Sequence, residues 1–248
     1  MTSDGGGRPG HAIPPTAARA EPNGQLTPDE ITRIVLRPLA SSLPLGFLAF
    51  GMGTILLTAV ELHWVPLAQT RPLMVMVLAF VVPLEVISGL FAFLARDVGA
   101  ATGLSLLGAG WAATALTILG GPPGARSTAL AIFLLMMAAI MVVLAAASLR
   151  AKPAFGVLLL VGACRFALTG IYQGTLGGGP AVATVAGWIG LPLAAFSLYG
   201  GLALLLEDSA QRTVLPIGRR GRARSSLEDS ITHQIEAAER EAGIRRQL

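Results

Sequence analysis

Long apolar stretches separated by short polar turns dominate the middle of this chain. No charged residue occurs at positions 98–125, 127–149 or 166–206. An α-helix rises about 1.5 Å per residue, so about 20 apolar residues cross the roughly 30 Å hydrocarbon layer of a bilayer. The last stretch is too long for one crossing, and the Gly-Gly-Gly-Pro sequence at 177–180 marks the turn that divides it. The pattern predicts a polytopic membrane protein.

The same pattern places six spans and two tails. The predicted fold is all-α, with transmembrane helices at residues 44–62, 72–95, 98–120, 127–149, 153–176 and 181–206. Residues 1–30 are rich in Gly, Pro and Ala and predict a disordered N-terminal tail, and residues 31–43 predict an amphipathic segment before the membrane. We therefore divide the chain into 1–30, 31–43, a six-helix domain at 44–206 and a cytoplasmic tail at 207–248.

The cytoplasmic tail contains a predicted amphipathic helix. Leu227, Ile231 and Ile235 recur at helical spacing, after a Ser-Ser-Leu-Glu sequence that is typical of a capping box. Such a helix lies on an anionic membrane surface or pairs with neighbouring tails, or it is a solvated helix with no partner. The sequence leaves these alternatives open.

The basic residues predict which ends face the cytoplasm. The external loops carry only Arg71 and Arg126, one Arg lies within a span, and all other Lys and Arg residues lie in internal tails and loops if both termini are inside. An excess of basic residues is typical of cytoplasmic loops. We therefore predict a multi-pass protein of a bacterial cytoplasmic (inner) membrane, with both termini cytoplasmic and the lipid bilayer as its surroundings.

Composition narrows the class of protein. Hydrophobic residues make up 53% of the chain and charged residues 13%, about half the charged share of a soluble domain. The net charge of +4 lies in tails and loops without interleaved aromatics, so no nucleic-acid binding is expected. With one Cys, three His, no phosphate-binding loop and no G-x-S-x-G motif, the sequence offers no catalytic or metal site. We expect no enzyme and no cofactor.

Two ionisable residues, Glu85 and Arg165, fall near the middle of predicted spans. Charged groups in a membrane are costly, face the bundle interior or a cavity, and are candidates for function. Glu85 lies about 15 Å and Arg165 about 18 Å from the inner ends of their spans at the helical rise. We therefore hypothesise that they pair or share a hydrated cavity, where Arg165 attracts a carboxylate and Glu85 regulates that attraction or carries a proton. The structural alternative is an ion pair that only fixes helix register.

Uncharged polar residues within the spans are weaker signals. Thr54 and Thr58 lie one turn apart on the first span, and Thr169 and Gln173 lie one turn apart on the fifth. Thr hydroxyls often bond to their own helix backbone, so the structural interpretation is favoured for them.

Three short motifs, in order along the chain, suggest a family. They are S-S-L-P-L-G-F followed by F-G-M at 41–52, A-G-W-I-G at 186–190 and R-T-V-L-P-I-G at 212–218. Between them, familiar positions are held by Gly89, Asp97, Thr102, Gly108 and Trp111. Over roughly residues 44–218 the chain resembles the acetate uptake transporter family, also called the GPR1/FUN34/YaaH or succinate-acetate permease family.

The resemblance implies a function and an assembly. It implies a six-helix protomer with its own pore, assembled as a homohexamer, that moves acetate or related small carboxylates as a channel or a proton-coupled carrier. Phe50 falls where the family places an aromatic constriction residue, Leu107 where it has a constriction Tyr, and Glu85 where it usually has a Gln. The predicted substrate pathway is Leu45, Phe50, Glu85, Leu107 and Arg165.

Departures from the family pattern indicate a divergent member. Ser41-Ser42 replace the signature Asn-Pro, Leu107 lacks the Tyr hydroxyl, and Arg165 is not a recognised family residue. Two alternatives therefore stay open. One is a carrier of a different small solute. The other is a non-transporting membrane scaffold whose Glu85–Arg165 pair plugs the path and whose tail recruits a partner.

Overall fold

The fold is seen in a computed structural model that describes residues 40–150, 152–174, 179–210 and 212–216. Six of its helices are long and apolar enough to cross a bilayer: α1 Leu43–Glu61, α2 Leu67–Leu94, α3 Val98–Gly120, α4 Thr128–Ser148, α5 Pro153–Gln173 and α6 Pro180–Ala210. The predicted all-α fold with six spans is confirmed. The predicted N-terminal tail and amphipathic tail helix lie outside the described residues, and the domain boundaries remain predictions.

The six helices close into a ring. Each helix packs against its neighbours in sequence, and α1 also packs against α6, so the first and last helices complete the circle. Short connections make successive helices antiparallel. We call the end at which α1, α3 and α5 begin the proximal end, and the end at which they finish the distal end.

Prolines and capping side chains set where the helices begin. Pro44 and Pro153 lie in the first turns of α1 and α5, where a missing N–H costs no hydrogen bond. The Asp97 carboxylate accepts a bond from the Ala100 N–H at the start of α3 (3.1 Å). In the same way, the Ser127 hydroxyl caps α4. These residues place the helix starts within one residue of the predicted spans for α1, α3, α4, α5 and α6.

Helix α2 contains a wide turn that the sequence pattern did not predict. It runs through a 3₁₀ turn, an α segment, a π turn and a second α segment, at Leu67–Gln69, Thr70–Met76, Val77–Val81 and Val82–Leu94. Pro83 follows at once, and its ring would crowd the carbonyl four residues earlier in a regular helix. The extra residue in the turn rotates the remainder of α2 by about 100°. This rotation places Glu85 in the ring interior, where it is fully buried.

Small residues allow the closest helix contacts. A Cβ at Gly170 would lie 3.2 Å from the Ala131 carbonyl oxygen, and one at Gly174 would lie 3.3 Å from the Ala131 Cβ. The G-x-x-x-G spacing on α5 therefore lets α4 approach closely.

At the proximal end, the Ser42 hydroxyl donates to the Ser88 carbonyl (2.8 Å) and the Ser88 hydroxyl donates to the Ser42 carbonyl (2.5 Å). This reciprocal pair joins α1 to α2 at the position where the family motif has Asn-Pro.

Candidate functional site

A cavity lies in the ring interior and is lined by five of the six helices. We call it the central cavity. Its apolar lining comes from Phe50 and Leu57 of α1, Leu134 of α4, Gly162 and Phe166 of α5, and Leu193 of α6. Its polar lining consists of Trp111 and Thr114 of α3 and Arg165 and Thr169 of α5. A mostly apolar cavity with a few convergent polar groups is the usual form of a small-molecule site.

Arg165 is bound at the centre of a buried polar network. Its Nη2 donates to Glu61 Oε2 (2.7 Å), to the Thr58 hydroxyl (3.2 Å) and to the Thr54 carbonyl (3.4 Å). The Thr169 hydroxyl donates to the other Glu61 oxygen at 2.9 Å. Both oxygens of the Glu61 carboxylate are therefore held by donors on α5. The network joins α1 to α5 and supplies the counter-charge that a cation within a spanning helix requires.

The Arg165 guanidinium uses one of its three nitrogens in hydrogen bonds to the described part of the chain. All three of these bonds use Nη2, and the buried Nε has no hydrogen-bond partner among the described residues. The guanidinium packs against the backbone of Gly190 on α6, since a Cβ there would lie 2.9 Å from Nε and would overlap the Thr58 hydroxyl. Gly190 therefore provides the space that Arg165 and Thr58 share.

The predicted Glu85–Arg165 ion pair is wrong. Glu85 accepts a hydrogen bond from the Trp111 indole N–H (3.1 Å) on α3, and Arg165 pairs with Glu61. The depths of the two Cα atoms along their spans favour Glu85 as the partner of Arg165. The Arg165 side chain, however, extends toward the distal end and contacts Glu61, the last residue of α1. Trp111 still connects the two groups, because its indole lines the central cavity beside Arg165 and is oriented by Glu85.

Glu61 is the residue that sequence reasoning missed. It closes α1 and stands next to His63 and Trp64, so it resembled an interfacial residue rather than an intramembrane one. The structure buries it to 7% exposure. One signal was available in the sequence: a cation inside a span needs an anion, and Glu61 is the acid nearest the distal end of the first span.

Two further cavities lie toward the ends of the ring, and each is also lined by a basic residue. The proximal cavity is formed mainly by apolar side chains, among them Phe47, Phe155 and Phe196, and includes Lys152. Lys152 forms a salt bridge with Asp97 across the proximal loops. The distal cavity is lined by the loop between α3 and α4 and by Gln173, and includes Arg126, whose guanidinium stacks on Tyr172 at 4.4 Å from the ring centroid.

The separation between these cavities differs from helix to helix. On α4 and α5 the central and distal cavities are one helical turn apart, at Leu134 and Leu130 and at Thr169 and Gln173. The central and proximal cavities are likewise one turn apart on α1, at Phe50 and Phe47, and on α6, at Leu193 and Phe196. On α3 and α5 their linings are about two to three turns apart, because α3 runs from Trp111 to Ala100 and α5 from Gly162 to Phe155 between them. Between those linings along α3 and α5 lie Leu107, Leu158 and Leu159, all at most 4% exposed. We call these three leucines the proximal seal.

The predicted pathway residues occupy different positions around these cavities. Phe50 lines the central cavity and stacks near Trp111, with ring centroids 6.2 Å apart. Leu107 belongs to the proximal seal and packs in the same apolar cluster as Phe50. Leu45 is half-buried near the start of α1 and lines none of the three cavities described above. Their role in a pathway remains a prediction.

The described residues offer no metal site. Within those ranges no three His, Cys, Asp or Glu side chains lie together so that they could hold a metal ion. The arrangement instead combines a buried cation, hydroxyl donors and apolar walls, which is the donor set for a small anion that carries an apolar group.

Comparison with known proteins relates the chain to a protein family and to a solved structure. The profile of the GPR1/FUN34/YaaH family matches residues 22–218. The solved structure of the bacterial acetate channel SatP is similar to this chain with a TM-score of 0.65 and 25% sequence identity. The similarity covers 73% of this chain and 100% of that one. No curated protein matches the chain.

Proposed function

The chain belongs to the GPR1/FUN34/YaaH family, and we propose that it is a membrane transporter or channel for acetate or a related small carboxylate. The observation that carries the proposal is the central cavity, where Arg165 provides a buried cation among apolar walls. Carboxylates form strong, directional bonds with a guanidinium, and an apolar wall suits a short hydrocarbon group. Similarity to an acetate channel along the whole of that chain supports the same function.

The proposed route follows the interior of the ring. The anion enters the proximal cavity beside Lys152, passes the proximal seal and Phe50, binds at Arg165 and leaves through the distal cavity beside Arg126. A basic residue in each cavity attracts an anion at each stage. Glu85 acts on this route through Trp111, whose indole it orients. Leu45 is the remaining proposed pathway residue, and it lies one turn or less from Phe47 and Gly46 on α1.

The setting of the protein is also proposed. We infer a bacterial inner membrane with both termini cytoplasmic, which is supported by basic residues at the proximal end, including Arg96, Arg150 and Lys152. We infer a homo-oligomer, a hexamer by resemblance to the family. Cys164 is the single cysteine of the chain and is exposed on α5, so Cys164→Ser provides a cysteine-free background for mapping both termini with membrane-impermeant reagents.

The scaffold alternative loses the plug that it proposed for the path. Arg165 pairs with Glu61 and Glu85 accepts from Trp111, so the Glu85–Arg165 pair does not form, and the tail that would recruit a partner lies largely outside the described residues. The other alternative, a carrier of a different small solute, stays open within the same class of function. The central cavity offers a defined partner for an anionic group and only apolar walls for the remainder of the solute.

Uptake into proteoliposomes tests the proposal. Radiolabelled acetate uptake by purified protein should be saturable, should be inhibited by unlabelled acetate, and should fall strongly in Arg165→Leu. Comparing vesicles with and without an inward proton gradient separates a coupled carrier from a channel. Correctly assembled protein that shows no saturable uptake of acetate, propionate or succinate would contradict the proposal.

A further inference from the structure

The Glu61 side chain is chemically an acetate group attached to α1. Its terminal methylene and carboxylate have the composition of the proposed substrate, and they bind the one buried guanidinium of the described ring. Both carboxylate oxygens are satisfied, one by Arg165 Nη2 at 2.7 Å and the other by the Thr169 hydroxyl at 2.9 Å. These two donors lie one turn apart on the same face of α5. Together they form a fitted carboxylate site.

The same two donors also face the central cavity. Arg165 and Thr169 both line it, whereas Glu61 reaches them from the end of α1 and is absent from the cavity lining. A free carboxylate in the cavity would therefore meet the donors that Glu61 already holds. Since a guanidinium has five N–H groups and the described bonds all use Nη2, Arg165 has donors left to hold a second carboxylate during an exchange.

From this geometry we propose that Glu61 is an internal competitor of the substrate: the substrate carboxylate displaces Glu61 from Arg165 and Thr169, and Glu61 returns when the substrate leaves. The inference rests on the proposed function and identifies the residue that sets the affinity of the central cavity. The fixed counter-charge keeps Arg165 paired at all times, so each exchange replaces one carboxylate by another. Weak binding follows, which a transport site needs because it must release its solute.

The position of Glu61 permits the exchange. It is the last residue of α1, and the chain leaves the helix through a turn in which His63 has φ 57°. No further turn of α1 encloses its side chain on the distal side. A rotation of the Glu61 side chain can therefore carry its carboxylate toward the distal end, while Thr58, one turn earlier on α1, remains beside Arg165.

Chemical rescue tests the exchange directly. Glu61→Ala removes the tethered acetate, leaves Arg165 and Thr169 in place, and should lower Tm in sodium chloride. Sodium acetate at the same ionic strength should then raise Tm by roughly 5–10 °C at a concentration near 100 times Kd. Glu85→Ala is the matched control, because it deletes another buried acid that contacts Trp111 and no described cation. Acetate should raise the Tm of Glu85→Ala and of the wild type by less than half as much as it raises the Tm of Glu61→Ala.

Acetate binding provides a second readout that needs no unfolding. In a Trp64→Phe/Trp188→Phe background, the remaining indole is Trp111 in the central cavity, so its fluorescence reports acetate binding. Glu61→Asp keeps the charge but shortens the reach of the side chain, and should lower the Kd for acetate several-fold. Glu61→Gln should lower it about ten-fold, and Arg165→Gln should abolish binding.

The outcomes separate the two proposals. Rescue of Glu61→Ala by acetate together with tighter binding in Glu61→Asp supports the exchange. If wild-type protein transports acetate but acetate neither rescues Glu61→Ala nor binds Glu61→Asp more tightly, the exchange is wrong and the proposed function stands. If acetate is neither transported nor bound by the wild type or any variant, both proposals are overturned.

Discussion

Arg165 Nη2 lies 2.7 Å from Glu61 Oε2, and each of the two side chains is only 6% exposed. The bond joins the middle of α5 to the last residue of α1. A buried pair of this kind is costly to break on one side, because the remaining charge has no solvent. Its consequences for stability and for transport can be measured separately.

Removing one partner should destabilise the fold more than removing both. Glu61→Leu and Arg165→Leu should each lower the free energy of unfolding by about 3–5 kcal/mol, because each leaves an unpaired buried charge. The double variant Glu61→Leu/Arg165→Leu should recover most of that loss and still fail to take up acetate. Thermal unfolding of the wild type, the two single variants and the double variant in detergent completes a double-mutant cycle. Losses of stability that simply add in the double variant would contradict a direct pair.

Gly190 should tolerate no side chain. In Gly190→Ala the new Cβ would lie 2.9 Å from Arg165 Nε and would overlap the Thr58 hydroxyl, so the Arg165 network must shift. We expect a loss of stability of about 1–3 kcal/mol and a strong fall in acetate uptake. Adding Thr58→Ala removes the overlapping hydroxyl and should restore part of the lost stability and part of the lost uptake. Thermal unfolding measures the first and acetate uptake measures the second. An unaltered Gly190→Ala protein would contradict this packing.

Gly162 should behave in the opposite way, although it lines the same cavity. A Cβ built at this residue has no atom within 4 Å, so Gly162→Ala fills only cavity space. The fold should keep its stability or gain up to about 1 kcal/mol from helix propensity. Transport should become selective for size, with propionate uptake falling more than acetate uptake. Competition between the two acids in one uptake assay measures this, and equal losses would argue against passage beside α5.

Glu85 should act through its hydrogen bond to Trp111. Glu85→Gln keeps an oxygen that can accept the indole N–H, so Trp111 fluorescence and acetate uptake should change little. Glu85→Leu removes the acceptor, leaves a buried donor unsatisfied, and should cost about 1–3 kcal/mol while altering the fluorescence. Trp111→Phe tests whether Glu85 acts through the indole. In the Trp111→Phe background, Glu85→Leu should reduce acetate uptake less than it does in the wild type. A large effect of Glu85→Gln alone would assign Glu85 a role beyond positioning Trp111.

Sequence reasoning was sufficient for the helices because bilayer thickness dictates their length. Charge-free stretches, together with Pro and Gly at the turns, located five spans within about one residue of their observed starts. Asp97 and Ser127 cap helices where the polar turns predicted them. The π turn at Val77–Val81 was not foreseen, since apolar residues surround it and period alone cannot show an inserted residue. It matters because it rotates Glu85 into the ring interior.

The candidate site was harder to predict because depth along a helix does not specify direction around it. Glu85 and Arg165 lie at compatible depths, yet the long Arg165 side chain extends along the ring to Glu61. Thr58 and Thr169, which the sequence offered only as weak signals, are direct members of the network. Pairing in a membrane is decided by side-chain reach and helix rotation, and neither is encoded by spacing alone.

The proximal seal lies between the proximal and central cavities along α3 and α5, where the two linings are farthest apart. Leu107, Leu158 and Leu159 are buried there in one apolar cluster, and an apolar constriction of this kind excludes hydrated anions. Leu107→Ala removes side-chain volume from that interval and should raise the rate of acetate uptake several-fold without changing the concentration at half saturation. Leu116→Ala on the same helix is the matched control, since Leu116 is 59% exposed on the outer face. Faster uptake in both variants would indicate a general loosening of α3, and unchanged uptake in Leu107→Ala would place the limiting barrier elsewhere in the ring.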